Sequence, residues 1–319
     1  MSFQVIGTGS AAPACVKTND DLSEFLETSD EWIRTRTGIR ERRICTSETM
    51  SDLTERAAKL ALENAGIDAK ELDLILCTTV RGDYMTPSQA CVIQKRIGAT
   101  CPAFDLNAAC SGFLYALDVA ESYFFCKKVK KVLVVSSEVM SKLVNWTDRS
   151  TCVLFGDGAG AAVLGEGDDM LSLRLTADGN WDALRIPQVN GNCPFGEEQG
   201  EPPYLSMNGQ DVYKFAVTNM AADLTYVIEK AGLTTADVDY VLPHQANTRI
   251  IDAAAHRLSI PKEKYVISID RYGNTSSASI PVMLDELNRG GRLKKGDILA
   301  MSAFGGGFTT GAGVLRWSK

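Results

Sequence analysis

The sequence is poor in histidine, short of positive charge and without long apolar runs. Its 319 residues include two histidines and nine cysteines, and no two cysteines are spaced as Cys-x-x-Cys. That spacing excludes the usual zinc-ligand patterns. An odd number of scattered cysteines also argues against a disulfide framework and for reduced thiols in a reducing compartment. Lys and Arg total 33 against 40 Asp and Glu, a net charge of −7. General nucleic-acid affinity needs a basic face, so none is expected, although a local basic patch stays possible. No apolar run approaches the ~20 residues of a membrane span. The opening MSFQVIGTGSAAP has no basic segment followed by a long apolar one. The expectation is a cytoplasmic protein that binds neither nucleic acid nor membrane, built as one large domain or two ordinary ones.

What the sequence does contain is an internal repeat. Asn64–Leu76 (NAGIDAKELDLIL) aligns without a gap on Lys230–Leu242 (KAGLTTADVDYVL), at an offset of 166. Each piece ends a helix at Ala-Gly, crosses a polar turn and enters an apolar strand after an aspartate. The glycine suits the left-handed residue just past a helix end. The same offset sets Lys131–Val135 beside Asp297–Met301, and each half closes with a Gly-Ala-Gly strand, GDGAGAAVL and TTGAGVL.

Periodicity predicts alternating strands and helices in both halves, 1–168 and 169–319. The strands are expected near 3–8, 73–80, 102–105, 131–137, 158–165, 170–177, 239–242, 265–268, 297–303 and 309–316. Helices are expected near 20–27, 30–35, 52–65, 87–97, 111–126, 208–231, 246–258 and 276–289. This is an α/β pattern with crossover helices over mixed, mostly parallel sheets. The Pro- and Gly-rich stretch 178–207 reads as a long surface loop.

Cys110 is the leading chemical candidate. It stands among small residues in Asp105–Phe113 (DLNAACSGF), at the start of an apolar helix. The unpaired N–H groups and dipole of that helix start would favour the thiolate. The local sequence fits a small packed thiol as well. At the repeat offset Cys110 falls on Ser276 in Gly273–Ser279 (GNTSSAS), so a pseudo-twofold axis would bring two helix starts together. His244 follows an apolar strand in PHQAN, where open α/β sheets place ligands. His256 looks like a solvated helix residue. Asn274 is either a functional amide or an ordinary turn cap. Gly305–Gly307 in FGGGF either let backbone N–H groups approach a ligand or make a tight strand-to-strand bend. GTGSAA at Gly7–Ala12 matches a dinucleotide pattern, but Pro13 stops the helix that pattern needs. FGDGAG at Phe155–Gly160 lacks the Lys-Ser/Thr of a phosphate loop and is expected to pass close behind the cysteine.

Taken in order, TSDEWIRTRTGIRER, DLNAACSGF, FGDGAGA, PHQAN, GNTSSAS and FGGGF resemble the β-ketoacyl-acyl carrier protein synthase III family along essentially the whole chain. These are the initiating condensing enzymes of type II fatty acid synthesis. The resemblance implies the thiolase-like fold, two duplicated βαβαβαββ-type halves in five αβαβα layers, working as a homodimer. It implies Cys110 as acyl-carrying nucleophile, His244 and Asn274 as its catalytic partners, and the N–H groups of Cys110 and Gly306 as oxyanion hole. Acyl-CoA and malonyl-acyl carrier protein would be the substrates, with no metal and no other cofactor. Trp32 and Arg149 would sandwich the coenzyme A adenine, with Arg36 near its phosphates and Tyr213 and Asn247 along its path. Arg249, Lys214 and Arg257 would form the patch for the acidic carrier protein. Arg40, Arg42 and Arg43 stay solvated surface. Thr86, Met140 and Phe304 would shape the acyl pocket. Thr86 stands where relatives often carry a phenylalanine that reaches the neighbouring subunit, so primers longer than acetyl are expected. A specialised polyketide or alkylquinolone condensing enzyme would carry nearly the same motifs. A cysteine hydrolase would also use Cys, His and Asn, but its local signature is absent.

Overall fold

The computed structural model describes residues 2–188, 195 and 201–319. The first half runs β1 (Ser2–Ala11), β2 (Val16–Thr18), α1 (Asn19–Ser23), α2 (Asp30–Thr37), β3 (Glu41–Arg43), α3 (Met50–Ala65), β4 (Leu74–Thr78), α4 (Gln89–Ile97), β5 (Ala103–Leu106), α5 (Gly112–Phe125), β6 (Lys131–Val139) and β7 (Asp157–Gly167). The second runs β8 (Met170–Asn180), β9 (Leu184–Arg185), β10 (Ser206–Met207), α6 (Gly209–Lys230), β11 (Tyr240–Pro243), α7 (Thr248–Leu258), α8 (Ile269–Tyr272), α9 (Ser279–Arg289), β12 (Ile298–Gly305) and β13 (Gly307–Arg316).

Among the described residues one large sheet has the order β1-β7-β6-β4-β5 and the other β8-β13-β12-β11. Strand for strand these are the same arrangement. α3 and α4 cover the outer face of the first sheet, α6 and α7 that of the second, and α5 with α9 fill the space between. The five layers of the thiolase-like fold follow. α5 is apolar on nearly every side because it meets both sheets: Phe113, Leu114, Leu117, Ala120 and Phe124 are all buried.

The repeat signals are structural signals. Gly66 and Gly232 sit at φ 69° and 74°, and the next residues, Ile67 and Leu233, bond back to Leu62 and Ile228. These are matching helix stops, at positions where a side chain would be strained. The repeated aspartates also match. Asp73 accepts from Lys131 N (3.0 Å) and Asp239 from Ile298 N (2.8 Å), each fastening the start of its neighbouring strand.

Those bonds also correct the register. Leu74 pairs with Val132, whereas Tyr240 pairs with Leu299. The offset is therefore 166 at the first strand and 167 at the second. One residue has been added in the second half before residue 276. The turns at Ala109–Ser111 and Ser276–Ala278 are equivalent at 167, so Cys110 matches Ser277, not Ser276.

Four further expectations change. The sheets are mixed but not mostly parallel, because β7 and β13 each lie antiparallel to both neighbours. The strand expected near 265–268 reduces to a single bridge, Val241–Tyr265. There Gln245 Oε1 takes the N–H groups of Ser268 (2.9 Å) and Ile269 (3.1 Å), which a strand would need for pairing. The stretch 178–207 contains the pair β9–β10, and Leu184 and Arg185 line the central cavity; residues 189–194 and 196–200 lie outside the described residues. Arg42 is not solvated: it is fully buried, donating to Lys17 O, Asn19 Oδ1 and Val153 O. Burial lowers it to about 10, and those acceptors are what make a buried guanidinium tolerable. Arg40 is exposed and Arg43 half-buried.

The glycine decoys find their reasons in packing. A Cβ at Gly7 or Gly9 would stand 2.4 Å or 2.3 Å from backbone oxygens of α3. The Gly-x-Gly of β1 thus lets a helix lie against the sheet.

Candidate active site

The two equivalent turns face each other between the sheets. Ala109 and Ser276 both take left-handed backbone, φ 47° and 49°, a rare conformation for residues with a side chain. The turns pack together. The Gly305–Gly307 bend closes the third side. A Cβ on Gly305 would lie 2.6 Å from Cys110 N, so only glycine lets β12 come this near. The motif is the hairpin bend between β12 and β13, and it sets backbone beside the thiol. Ser111 and Thr309 bond across the contact at 3.0 Å and fix it.

A cavity of about 1010 Å³ opens above the thiol. Cys110, His244 and Asn274 all line it, with Gly306, Met140 and Phe304. His244 follows β11, and its N–H donates to Ser302 O at 2.7 Å. Its ring is held by Phe304, edge-on with centroids 5.3 Å apart, and by Ser279 Oγ, 2.9 Å from Nδ1. Burial lowers His244 to about 3, so the imidazole is neutral. Asn274 Oδ1 accepts from Ser276 N at 2.9 Å. The turn-cap reading is therefore right, and it uses the oxygen while leaving the NH₂ end for other partners. Gly156 holds this loop. Its N–H donates to Asn274 O, and a Cβ there would meet Tyr272 O at 2.1 Å. FGDGAG thus lies against the asparagine loop rather than behind the cysteine.

The expected thiolate is also corrected. Burial pushes the Cys110 thiol up to about 12, against the lowering effects of Ser276 and of its own N–H. The thiol precedes α5 on a 3₁₀ turn, with no side-chain cap to strengthen the helix start. Desolvation is the largest of these influences, and it favours the protonated sulfur.

With this geometry in view, comparison with known proteins is decisive. The sequence model of 3-oxoacyl-[acyl-carrier-protein (ACP)] synthase III matches residues 104–179, and that of its C-terminal part matches residues 228–317. A β-ketoacyl-[acyl-carrier-protein] synthase III of Clostridium acetobutylicum is 47% identical, over 100% of this chain and 99% of its own. The chain belongs to the 3-oxoacyl-acyl carrier protein synthase III family. It is accordingly a condensing acyltransferase. The crystal structure of the Aquifex aeolicus synthase III superposes with a TM-score of 0.92 at 46% identity, covering 99% of this chain and 100% of that one. The priming β-ketosynthase from the R1128 polyketide pathway superposes at 0.93 with 35% identity, covering 99% and 96%.

The remaining synthase candidates lie around the mouth. Tyr213 and Asn247 line the cavity and, with Lys214 and Arg249, an adjoining cleft. Asn247 also caps α7 and donates to Arg36 O (3.0 Å), tying α2 to the entrance. Trp32 lies outside the cavity lining, with the guanidiniums of Arg36 and Arg149 4.6 Å and 5.2 Å from its ring centre. Arg149 rests on the indole itself and donates to Glu27 O, so an intercalated ring would have to displace it. Arg257 sits apart from Lys214 and Arg249, bonded to Val217 O. Thr86 is exposed and does not line this chain's own cavity, whereas its neighbours Tyr84 and Met85 do. Among the described residues no helix is long and apolar enough to cross a membrane. The sequence reading missed Leu184 and Ser279. Only Ser279 carried a signal, as the last residue of GNTSSAS.

Proposed function

We propose that the chain condenses an acyl-CoA primer with malonyl-acyl carrier protein through an acyl-Cys110 intermediate. The observation that carries this is one cavity lined by a protonated thiol, a neutral imidazole and an asparagine amide. Both titratable groups favour their neutral forms, so a resting thiolate–imidazolium pair is disfavoured. The sulfur therefore bonds to the thioester carbon as Nε2 of His244 takes its proton, the ring's own proton then standing on Nδ1 toward Ser279 Oγ. The carbon–sulfur bond to CoA then breaks, and that proton leaves on the CoA thiol. The N–H groups of Cys110 and Gly306 hold the oxyanion.

The second step uses the same neutrality differently. When Ser279 donates to Nδ1, the His244 ring proton sits on Nε2. Nε2–H and the Asn274 amide then donate to the malonyl thioester oxygen. They stabilise the enolate formed as carbon dioxide leaves, and this enolate attacks the acyl-cysteine. No step calls for a metal or a redox cofactor. The CoA path runs along Trp32, Arg36, Arg149, Tyr213 and Asn247. Lys214 and Arg249 offer the acidic carrier protein a local basic surface, with Arg257 at its periphery. The chain works as a homodimer, with Thr86 turned to the partner's acyl pocket, and acts in the cytoplasm. The cavity size, with Met140 and Phe304 in its wall, supports primers longer than acetyl.

Acetyl-, isobutyryl- and octanoyl-CoA, each offered with malonyl-carrier protein, test this through carbon dioxide release. Turnover of all three is expected, and strict acetyl preference overturns the primer claim. Cys110→Ser should lose acyl transfer while retaining malonyl decarboxylation. Full condensation by that variant rules out the intermediate.

A further inference from the structure

Beside the Asn274 loop lies a carboxyl group that the proposed reaction does not use. Glu138, near the end of β6, is buried. Its Oε2 accepts from Val80 N (3.0 Å) and Thr79 Oγ1 (3.3 Å), both of the first half. Its Oε1 accepts from Ser276 Oγ (3.0 Å) and Ser277 Oγ (2.7 Å), both of the second. Among the described residues no lysine or arginine pairs with it. A buried carboxyl without a cation is costly, and this one ties the two halves together.

The turn it holds is strained. Ser276 has φ 49°, which a residue with a side chain keeps only where its surroundings hold it there. That strained residue orients Asn274. Its N–H donates to Asn274 Oδ1 at 2.9 Å and so fixes the plane of the amide and the direction of its NH₂ end. Among the described residues this is the one hydrogen bond the Asn274 side chain makes. Were Ser276 to relax to negative φ, the N–H would swing off the oxygen and free the amide to turn.

The first half holds its own turn by other means. Asn107, 167 residues before Asn274, accepts from the left-handed Ala109 N at 3.1 Å. The residue there that corresponds to Glu138 is Gly305, at the same offset and the same place in its hairpin. Its bare backbone lies against Ala109 and Cys110. Close packing of backbone thus braces the Cys110 turn, whereas a carboxylate reaching two hydroxyls braces the turn beside Asn274.

We propose that Glu138 is a positioning residue for the condensation step: by holding the Ser276 and Ser277 hydroxyls from the opposite half, it keeps Ser276 in left-handed backbone and so aims the Asn274 amide. The inference rests on Asn274 being the donor to the enolate. Acylation is spared, because the Cys110 turn has its own brace.

The test separates the two half-reactions. Burial raises Glu138 to about 7, so the work is done at pH 8, where the carboxyl is ionised. Protein is loaded from acetyl-CoA, the load is read on the Cys110 peptide by mass spectrometry, and it is then discharged by malonyl-carrier protein in a single turnover. Glu138→Ala should discharge about tenfold more slowly than wild type while loading within about threefold of it. In the Asn274→Ala background the same change should slow discharge by less than about twofold, since both residues act on one amide. Adding Ser276→Gly to Glu138→Ala should bring discharge back to within about threefold of wild type, because glycine takes left-handed backbone without an anchor. A carboxyl that served folding alone would show no such recovery. Equal slowing of loading and discharge overturns the proposal, as do additive losses with Asn274→Ala or no recovery with Ser276→Gly. If Glu138→Ala does not fold, two single variants decide. Ser276→Ala loses the hydroxyl and keeps the strain, so it should discharge about fivefold more slowly than Ser276→Gly. Equal rates are the contrary result. Failure of the proposed reaction shows earlier, as wild type without acyl-Cys110 or as undiminished discharge by Asn274→Ala, and it takes this inference with it.

Discussion

The two turns at the centre of the molecule share a backbone and differ in chemistry. Ala109–Ser111 and Ser276–Ala278 each begin with a left-handed residue, form one 3₁₀ turn and lead into a helix between the sheets. In the first half the middle residue is Cys110, open to the cavity. In the second it is Ser277, buried and donating to Glu138. Among the described residues the second-half sheet is also one strand shorter, and Gln245 takes the place of the lost pairing beside His244. Duplication thus supplies a rigid mount, and departures from the repeat set a thiol on one side of the cavity and the His244 and Asn274 side chains on the other.

Removing the thiol breaks the comparison most severely. Cys110→Ala should lower condensation by on the order of 10³-fold or more, whereas Ser277→Ala should lower it far less. Equal losses in steady-state assays would mean that the two turns share the chemistry. Next comes Asn274→Ala, expected to slow carbon–carbon bond formation by about 10²-fold. Single-turnover acylation of Cys110 should survive it, since the amide is assigned to the enolate. Gly305→Ala places a Cβ 2.6 Å from Cys110 N. A displacement of that kind should cost about 10²-fold in kcat, with the loss appearing already in acylation.

The pH dependence of stability sharpens the comparison more gently. The folded His244 takes a proton only near 3, the unfolded one at its ordinary 6.5. Unfolding therefore takes up a proton between those values, and stability falls as pH drops through that window. Urea titrations of His244→Gln should show a shallower acid limb than wild type. The smallest effect is expected at the mouth. Arg249→Ala should raise KM for the carrier protein severalfold at low salt and little at high salt, with Arg257→Ala weaker still.

Much of this was legible in the sequence because it is local. Ala-Gly helix stops, the aspartate before each strand and the α5 apolar pattern depend on neighbours a few residues away. Cys110, His244 and Asn274 were readable because small residues and turns surround each of them. What escaped was set by tertiary packing. Arg42 looks like any arginine in a charged run until Lys17, Asn19 and Val153 close around it. The added residue before Ser276 is silent in sequence and visible only through strand register. The protonated thiol follows from burial, which a helix-start motif does not report.

The most direct test of the account is the fate of an acyl group offered to the resting protein. After incubation with octanoyl-CoA alone, peptide mass spectrometry should find one octanoyl group on Cys110, stable until malonyl-carrier protein is added and then discharged as β-ketoacyl product. An acyl group on another residue, or its release as free octanoate without the second substrate, would contradict it.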